Sequence, residues 1–176
     1  MNEEMAKHLA LPITLALSLC GACIAQNDAP CQPAPFTRER AAAVEKGVRA
    51  FAEGVARDVT RDGPIAWQKY FSDSPEFFMA VNGHLVFPSG TAAREAMKEV
   101  ARAFTHIELR WGDDLRIDPL GPDVAVMATS YHEARIDASG VHVDEDGFFT
   151  ATVEYRNGRW QIGNVHWSAA PAATVH

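Results

Sequence analysis

Two Asn-Gly pairs, Asn82-Gly83 and Asn157-Gly158, each stand between apolar runs, and no other feature constrains the fold of this chain as tightly. A two-residue hairpin turn needs positive φ at both central positions, which Asn and Gly tolerate best, so each pair predicts a reversal between antiparallel strands. The first joins a short buried strand over 76–81, dense in Phe77, Phe78 and Met79, to a return strand over 84–87. The second joins strands over 148–156 and 159–168. Residues 124–136 form a further strand, bounded by Leu120-Gly121-Pro122-Asp123 and Asp137-Ala138-Ser139-Gly140. Ile107, Leu109 and Trp111 alternate with His106, Glu108 and Arg110, and the strand resumes through Leu115 and Ile117 after a kink at Gly112-Asp113.

Helical periodicity precedes and interrupts these strands. Val44, Val48, Phe51, Val55 and Val59 form one apolar stripe, with Thr37 placed to cap it and Asp62-Gly63 to end it. Pro64 suits the first turn of a second, shorter helix carrying Ile65, Trp67, Tyr70 and Phe71. Ala93, Met97, Val100 and Phe104 mark a third, with Thr91 as its cap. The fold class is therefore α+β: a cone-shaped curved antiparallel sheet wrapped on three N-terminal helices. Such a sheet leaves a blind apolar cavity at its open end, while its outer face is free for solvent or for a homodimer.

The remaining segments read differently. Lys7 and His8 precede an apolar run over 9–19 and the small residues Gly21, Ala22 and Ala25, which is the pattern of a signal peptide over 1–25. The run is shorter than the roughly 20 residues a spanning helix needs. Cys20-Gly21-Ala22-Cys23 offers a lipobox with Cys23 as the acylated residue, and cleavage after Ala25 is the competing route. The protein is thus expected to be exported, as a periplasmic, secreted or lipid-anchored form, with membrane contact only through that lipid. Residues 26–36, with Pro30, Pro33 and Pro35, read as a linker, 37–168 as the domain and 169–176 as a loose tail. A net charge of -7 and the lack of a dense Lys/Arg run argue against a nucleic-acid partner. The C-x-x-C of Cys20 and Cys23 falls in the leader and Cys31 has no partner in the domain, so neither redox chemistry nor a disulfide framework is expected.

The order of elements resembles the nuclear transport factor 2-like superfamily, particularly its SnoaL-like and ketosteroid-isomerase-like members, over about 38–171. The resemblance rests on the hairpin over 77–86, on Ala93-Arg94-Glu95-Ala96-Met97 opening the third helix, and on Gly158-Arg159-Trp160-Gln161-Ile162 leading to His166-Trp167-Ser168. It implies a cone with a ligand pocket. Ketosteroid isomerase needs a carboxylate base and a second, protonated acid in its cavity, and the matching positions here are Ala80 and Ala151. The chain departs from the isomerase pattern there.

The same register turns Ala128, Ser130 and His132 inward on one strand and Val165 and Trp167 inward on the last, leaving Met127, Thr129, Tyr131 and Glu133 on the outer face as a homodimer surface. His132 is then the candidate general base, or an inert histidine at the cavity mouth. Trp67, Tyr70, Trp111, Ser130 and Trp167 are the candidate pocket residues, read as an aromatic wall with polar handles or as ordinary core. No close His pairing points to a metal, Asp144-Glu145-Asp146-Gly147 lacks the further ligands of a calcium loop and reads as a solvated turn, and Asp113 and Asp114 point to opposite faces of a strand. No phosphate loop or nucleophile elbow is present, and no cofactor is expected. Three readings stay open: a binding protein for a small, mostly apolar molecule, an isomerase, dehydratase or hydrolase using His132, and a non-catalytic homodimeric accessory module.

Overall fold

The computed structural model describes residues 35–170. The expected signal peptide, Cys23, the linker up to residue 34 and the tail from 171 lie outside the described residues. Helix α1 (Arg38–Asp62) begins where expected, with Thr37 Oγ1 accepting the Arg40 N–H at 3.3 Å. It buries Val44, Val48, Val55 and Val59. Gly63, at φ +79, turns the chain out and donates its N–H to the Val59 carbonyl at 2.9 Å. The second helix is a single 3-10 segment, Pro64–Lys69, short enough that Tyr70 and Phe71 lie beyond it. Strands β1 (Phe78–Val81) and β2 (His84–Phe87) meet at Asn82 and Gly83, both at positive φ.

Helix α2 (Gly90–Ala103) starts before the expected Thr91 cap, because Ser89 is extended and its hydroxyl accepts the Ala92 N–H at 3.2 Å. Gly90 sits against the Ser72 carbonyl, where any Cβ would collide. The remaining chain is strand: β3 (Phe104–Trp111), β4 (Arg116–Pro119), β5 (Val124–Asp137), β6 (His142–Arg156) and β7 (Arg159–Ala169). The sheet runs in the order β2-β1-β7-β6-β5-β3, with β4 also paired to β5. It is mixed rather than wholly antiparallel, since β1 and β7 pair in parallel, Met79 opposite Val165. Strands brought together from distant parts of the chain have no hairpin to force them antiparallel. Helix α1 packs across β3, β4 and β5, and the core lies between it and the inner sheet face.

Two local expectations are corrected. β6 begins at His142, so residues 144–147 are paired strand and not a turn, with Glu145 opposite Glu133 and Gly147 opposite Tyr131. Asp113 and Asp114 lie in the turn between β3 and β4, where Asp114 Oδ1 accepts the Ser130 N–H at 2.9 Å and the Ser130 hydroxyl at 2.8 Å.

The main correction concerns the parity of β5. Ala125, Met127, Thr129, Tyr131 and Glu133 are its buried face, so the residues expected outside are inside. Ala128, Ser130 and His132 face outward. The bulky Met127 and Tyr131 gain most from burial, whereas the small Ala128 and Ser130 lose little by exposure. Glu133 comes inward with them because side chains alternate strictly.

Candidate active site

An apolar cavity of about 230 Å³ opens between the 3-10 helix, α2 and the inner sheet face. Its walls are built around Trp67, Phe71, Met97, Phe149 and Trp167. Trp67 stacks on Phe71 at 5.9 Å between ring centroids and meets Trp167 edge-on at 5.7 Å, while Phe149 meets Trp167 edge-on at 5.1 Å. These rings hold one another in place, so the wall is set by the core and not by a loop.

One end of the cavity is charged. Glu133 and Arg135 follow each other on the inward face of β5, and Glu145 comes from β6. Two carboxylates directly across a pair of strands repel, and Arg135 separates them: its Nη2 donates to Glu145 Oε2 at 3.0 Å, and its Nη1 lies 3.2 Å from Glu133 Oε1. The Tyr131 hydroxyl donates to the other Glu145 oxygen at 2.7 Å. Glu145 is therefore satisfied on both oxygens. Arg135 also lies over the Phe104 ring at 5.3 Å, and its Nε is closed off without a partner.

Glu133 is left in a different state. It is only 6% exposed and lines the cavity, and its charged partner is Arg135, whose Nη1 lies 3.2 Å from Oε1. Burial in this apolar setting pushes its carboxyl up to about 7, Arg135 opposing the shift and Glu145 reinforcing it. Burial also raises the Tyr131 hydroxyl, helped by its bond to Glu145, so Tyr131 remains a donor. A buried carboxyl that titrates near neutrality is able to accept or release a proton, or to hold a cation.

Gly147 makes this arrangement possible. It lies directly opposite Tyr131, and a Cβ there would come within 2.6 Å of the tyrosine ring and hydroxyl. The ring occupies the space that a side chain at 147 would need, and from there it reaches Glu145.

Of the residues expected at the site, the structure brings Trp67 and Trp167 into the cavity. Val165 lines it beside them. The other expected residues lie elsewhere. Tyr70 donates to Asp58 Oδ2 at 2.5 Å on α1, in a cluster where Asp58 also accepts from Lys69 and is held down to about 2 by those two bonds. The Trp111 indole N–H is taken by the Ala52 carbonyl at 2.8 Å, tying β3 to α1. Ser130 and His132 occupy a shallow groove on the opposite face with Arg110 and Asp146. His132 Nδ1 is 2.9 Å from Asp146 Oδ1 and its Nε2 is 3.6 Å from Asp144. Sequence reasoning missed Glu133, Arg135 and Glu145, although the spacing of Glu133 and Arg135 by two, in step with Met127 and Tyr131, was a signal for them. No group of three His, Cys, Asp or Glu side chains suited to a metal occurs among the described residues.

By sequence, no protein-family model and no curated protein matches the chain. By structure it is similar to a nuclear transport factor 2-like superfamily protein from Salmonella enterica serovar Typhimurium, with a TM-score of 0.60 and 16% identity over 78% of this chain and 95% of that one. A protein assigned as a scytalone dehydratase from Novosphingobium aromaticivorans aligns with a TM-score of 0.66 and 10% identity, covering 80% and 93%. A hexachlorocyclohexane dehydrochlorinase from Novosphingobium barchaimii aligns with a TM-score of 0.59 and 13% identity, covering 77% and 94%. The α+β cone of residues 35–170 is the fold of the nuclear transport factor 2-like superfamily.

Proposed function

We propose that this chain takes up a small, mostly apolar molecule in the cone cavity and orients it by a polar end at Glu133. The observation that carries this reading is an apolar, aromatic-walled cavity with one buried carboxyl, Glu133, at its charged end. Ligand pockets combine apolar walls with a few placed polar groups that fix orientation, and this cavity has that make-up. A cavity of 150 Å³ accommodates benzene, so 230 Å³ corresponds to about nine non-hydrogen atoms. Titration of the full chain with 2-phenylethanol, followed by tryptophan fluorescence, is expected to give a saturable change through Trp67 and Trp167. No saturable response from any member of a panel of apolar molecules of that size would overturn the reading.

A second reading, acid–base catalysis, is favoured by the position of the Glu133 carboxyl near 7. Two of the fold neighbours are a dehydratase and a dehydrochlorinase by name, and eliminations of that kind remove a proton. In this chain the group suited to that task is Glu133 rather than His132, with Arg135 balancing the charge. Once a substrate is found, loss of turnover in Glu133→Gln together with retention in His132→Gln supports it, and the reverse pattern overturns it.

Two further proposals concern setting. The leader pattern over 1–25 supports export, and the mass of the mature protein reports cleavage after Ala25 or a lipid on Cys23. The outer sheet face, where Phe78 and Phe148 are exposed, is the surface we assign to a homodimer. Native mass spectrometry distinguishes dimer from monomer.

A further inference from the structure

We infer that the cavity selects a ligand whose polar end is a cation, an ammonium group on an aromatic or aliphatic body, held against Glu133. The inference rests on the cavity being the binding site and goes further by assigning the charge of what enters it.

The charged end of the cavity holds two carboxylates and one guanidinium. The groups facing Glu133 are Arg135 on its own strand, Glu145 on β6 and, through Glu145, the Tyr131 hydroxyl; every other element lining the cavity contributes no titratable side chain. With Glu133 ionised the cluster carries a net charge of -1. An anionic ligand would add to that charge and would find no free cation to meet it. Both Nη atoms of Arg135 are engaged by the two glutamates, and its Nε is sealed from contact. A neutral ligand would leave the charge uncompensated. A cation supplies a further hydrogen-bond donor and the charge that balances the cluster, and the aromatic side chains lining the cavity add the attraction that rings offer to ammonium groups.

The empty cavity avoids a bare buried charge by keeping a proton on Glu133 for much of the time near neutrality. In that state the proton occupies the role of the ligand's ammonium. When a cation binds, Glu133 loses its proton to the buffer while the ammonium keeps its own, so uptake of the ligand and release of the proton are linked. A neutral ligand that accepts a hydrogen bond from the protonated carboxyl would have the opposite linkage.

The test uses three probes that share one ring and differ in charge: phenethylammonium, 2-phenylethanol and phenylacetate. Isothermal titration of the full chain at pH 7, repeated in phosphate and in Tris, reads affinity and proton transfer together. The expected result is that phenethylammonium binds about tenfold more tightly than 2-phenylethanol, that phenylacetate binds most weakly, and that about half a proton is released per amine bound, because a carboxyl near 7 is half protonated at that pH. In Glu133→Gln the preference for the amine and the dependence on buffer both disappear; the wild-type measurements carry the test without the variant. Binding of 2-phenylethanol with no preference for the amine, or amine binding without proton release, overturns the inference and leaves the cavity as a binding site. Failure of all three probes to bind overturns the inference and the binding reading together.

Discussion

Replacing Glu133 by Gln is expected to stabilise the protein at alkaline pH and to leave it nearly unchanged in mild acid. In the unfolded chain the carboxyl titrates at its ordinary 4.5, and in the native chain at about 7. Between those values the native protein holds a proton that the unfolded chain has released, so stability falls as pH rises through that window, and the full loss is present above about 7. The difference amounts to about 3 kcal/mol. Glu133 is buried at 6% exposure, so solvent screening takes little from it. Gln fills nearly the same volume, carries no charge and leaves Arg135 paired with Glu145. Urea unfolding of both proteins at pH 5 and pH 8 checks this. The midpoint of the variant should lie about 1–2 M higher at pH 8 and move little at pH 5, given slopes typical of small domains. An equal difference at both pH values, or a variant less stable at pH 8, would refute the reasoning, since either result means that Glu133 is not the buried, poorly compensated charge described above.

Other substitutions separate the cavity from its surroundings. His132→Gln removes only surface pairs with Asp144 and Asp146, so it should change stability by about 0.5 kcal/mol or less and leave binding of 2-phenylethanol intact, as urea melts and fluorescence titrations would show. Asp58→Asn loses the charged partner of Lys69 and Tyr70 and should cost about 2 kcal/mol at pH 7. Because the native Asp58 carboxyl sits near 2 against an ordinary 3.8, that difference is present above about pH 4 and should shrink as pH falls through 2, which acid titration of both proteins monitors. Gly147→Ala brings a Cβ against the Ser168 carbonyl and within 2.6 Å of the Tyr131 ring and hydroxyl; a cost of about 2 kcal/mol or more is expected, with a change in near-ultraviolet circular dichroism as Tyr131 leaves Glu145.

Most of the fold was legible because its punctuation is local. The two Asn-Gly turns, the Thr37 cap and the valine stripe of α1 act over a few residues and appear as expected. The parallel pairing of β1 with β7 was not legible, since nothing in Met79 or Val165 records which distant strand will lie beside it. The site was lost at a single point. Along β5 both alternating sets are partly apolar, Val124, Val126 and Ala128 on one side and Ala125, Met127 and Tyr131 on the other, and a strand shifted by one residue exchanges them completely. A carboxylate on the inward set argues for the wrong choice unless its partners are known. Arg135 shares the inward set with it, but the cross-strand partner Glu145 becomes visible only when β6 is extended back to His142, over a stretch so acidic that it reads as a turn.

The presence of Glu133 at the cavity needs an explanation that packing does not supply. An ion-pair cluster of this kind, replaced by apolar residues of similar volume, usually gives a fold of equal or greater stability, and here the cluster borders a cavity that Met or Leu side chains would fill. At neutral pH the ligand-free protein therefore carries the cost of a carboxyl displaced from its ordinary titration, and a bound cation removes it. Occupancy at 100 times the dissociation constant stabilises a native state by about 2.7 kcal/mol, which is close to the 3 kcal/mol or so that Glu133 costs when it ionises. The wild-type protein saturated with a cationic ligand at pH 8 should thus approach the stability of the empty Glu133→Gln variant, and that variant should gain little from the same ligand. Stability and ligand charge are then two readings of one group, and a protein in which they moved independently would not be using Glu133 in the way its burial implies.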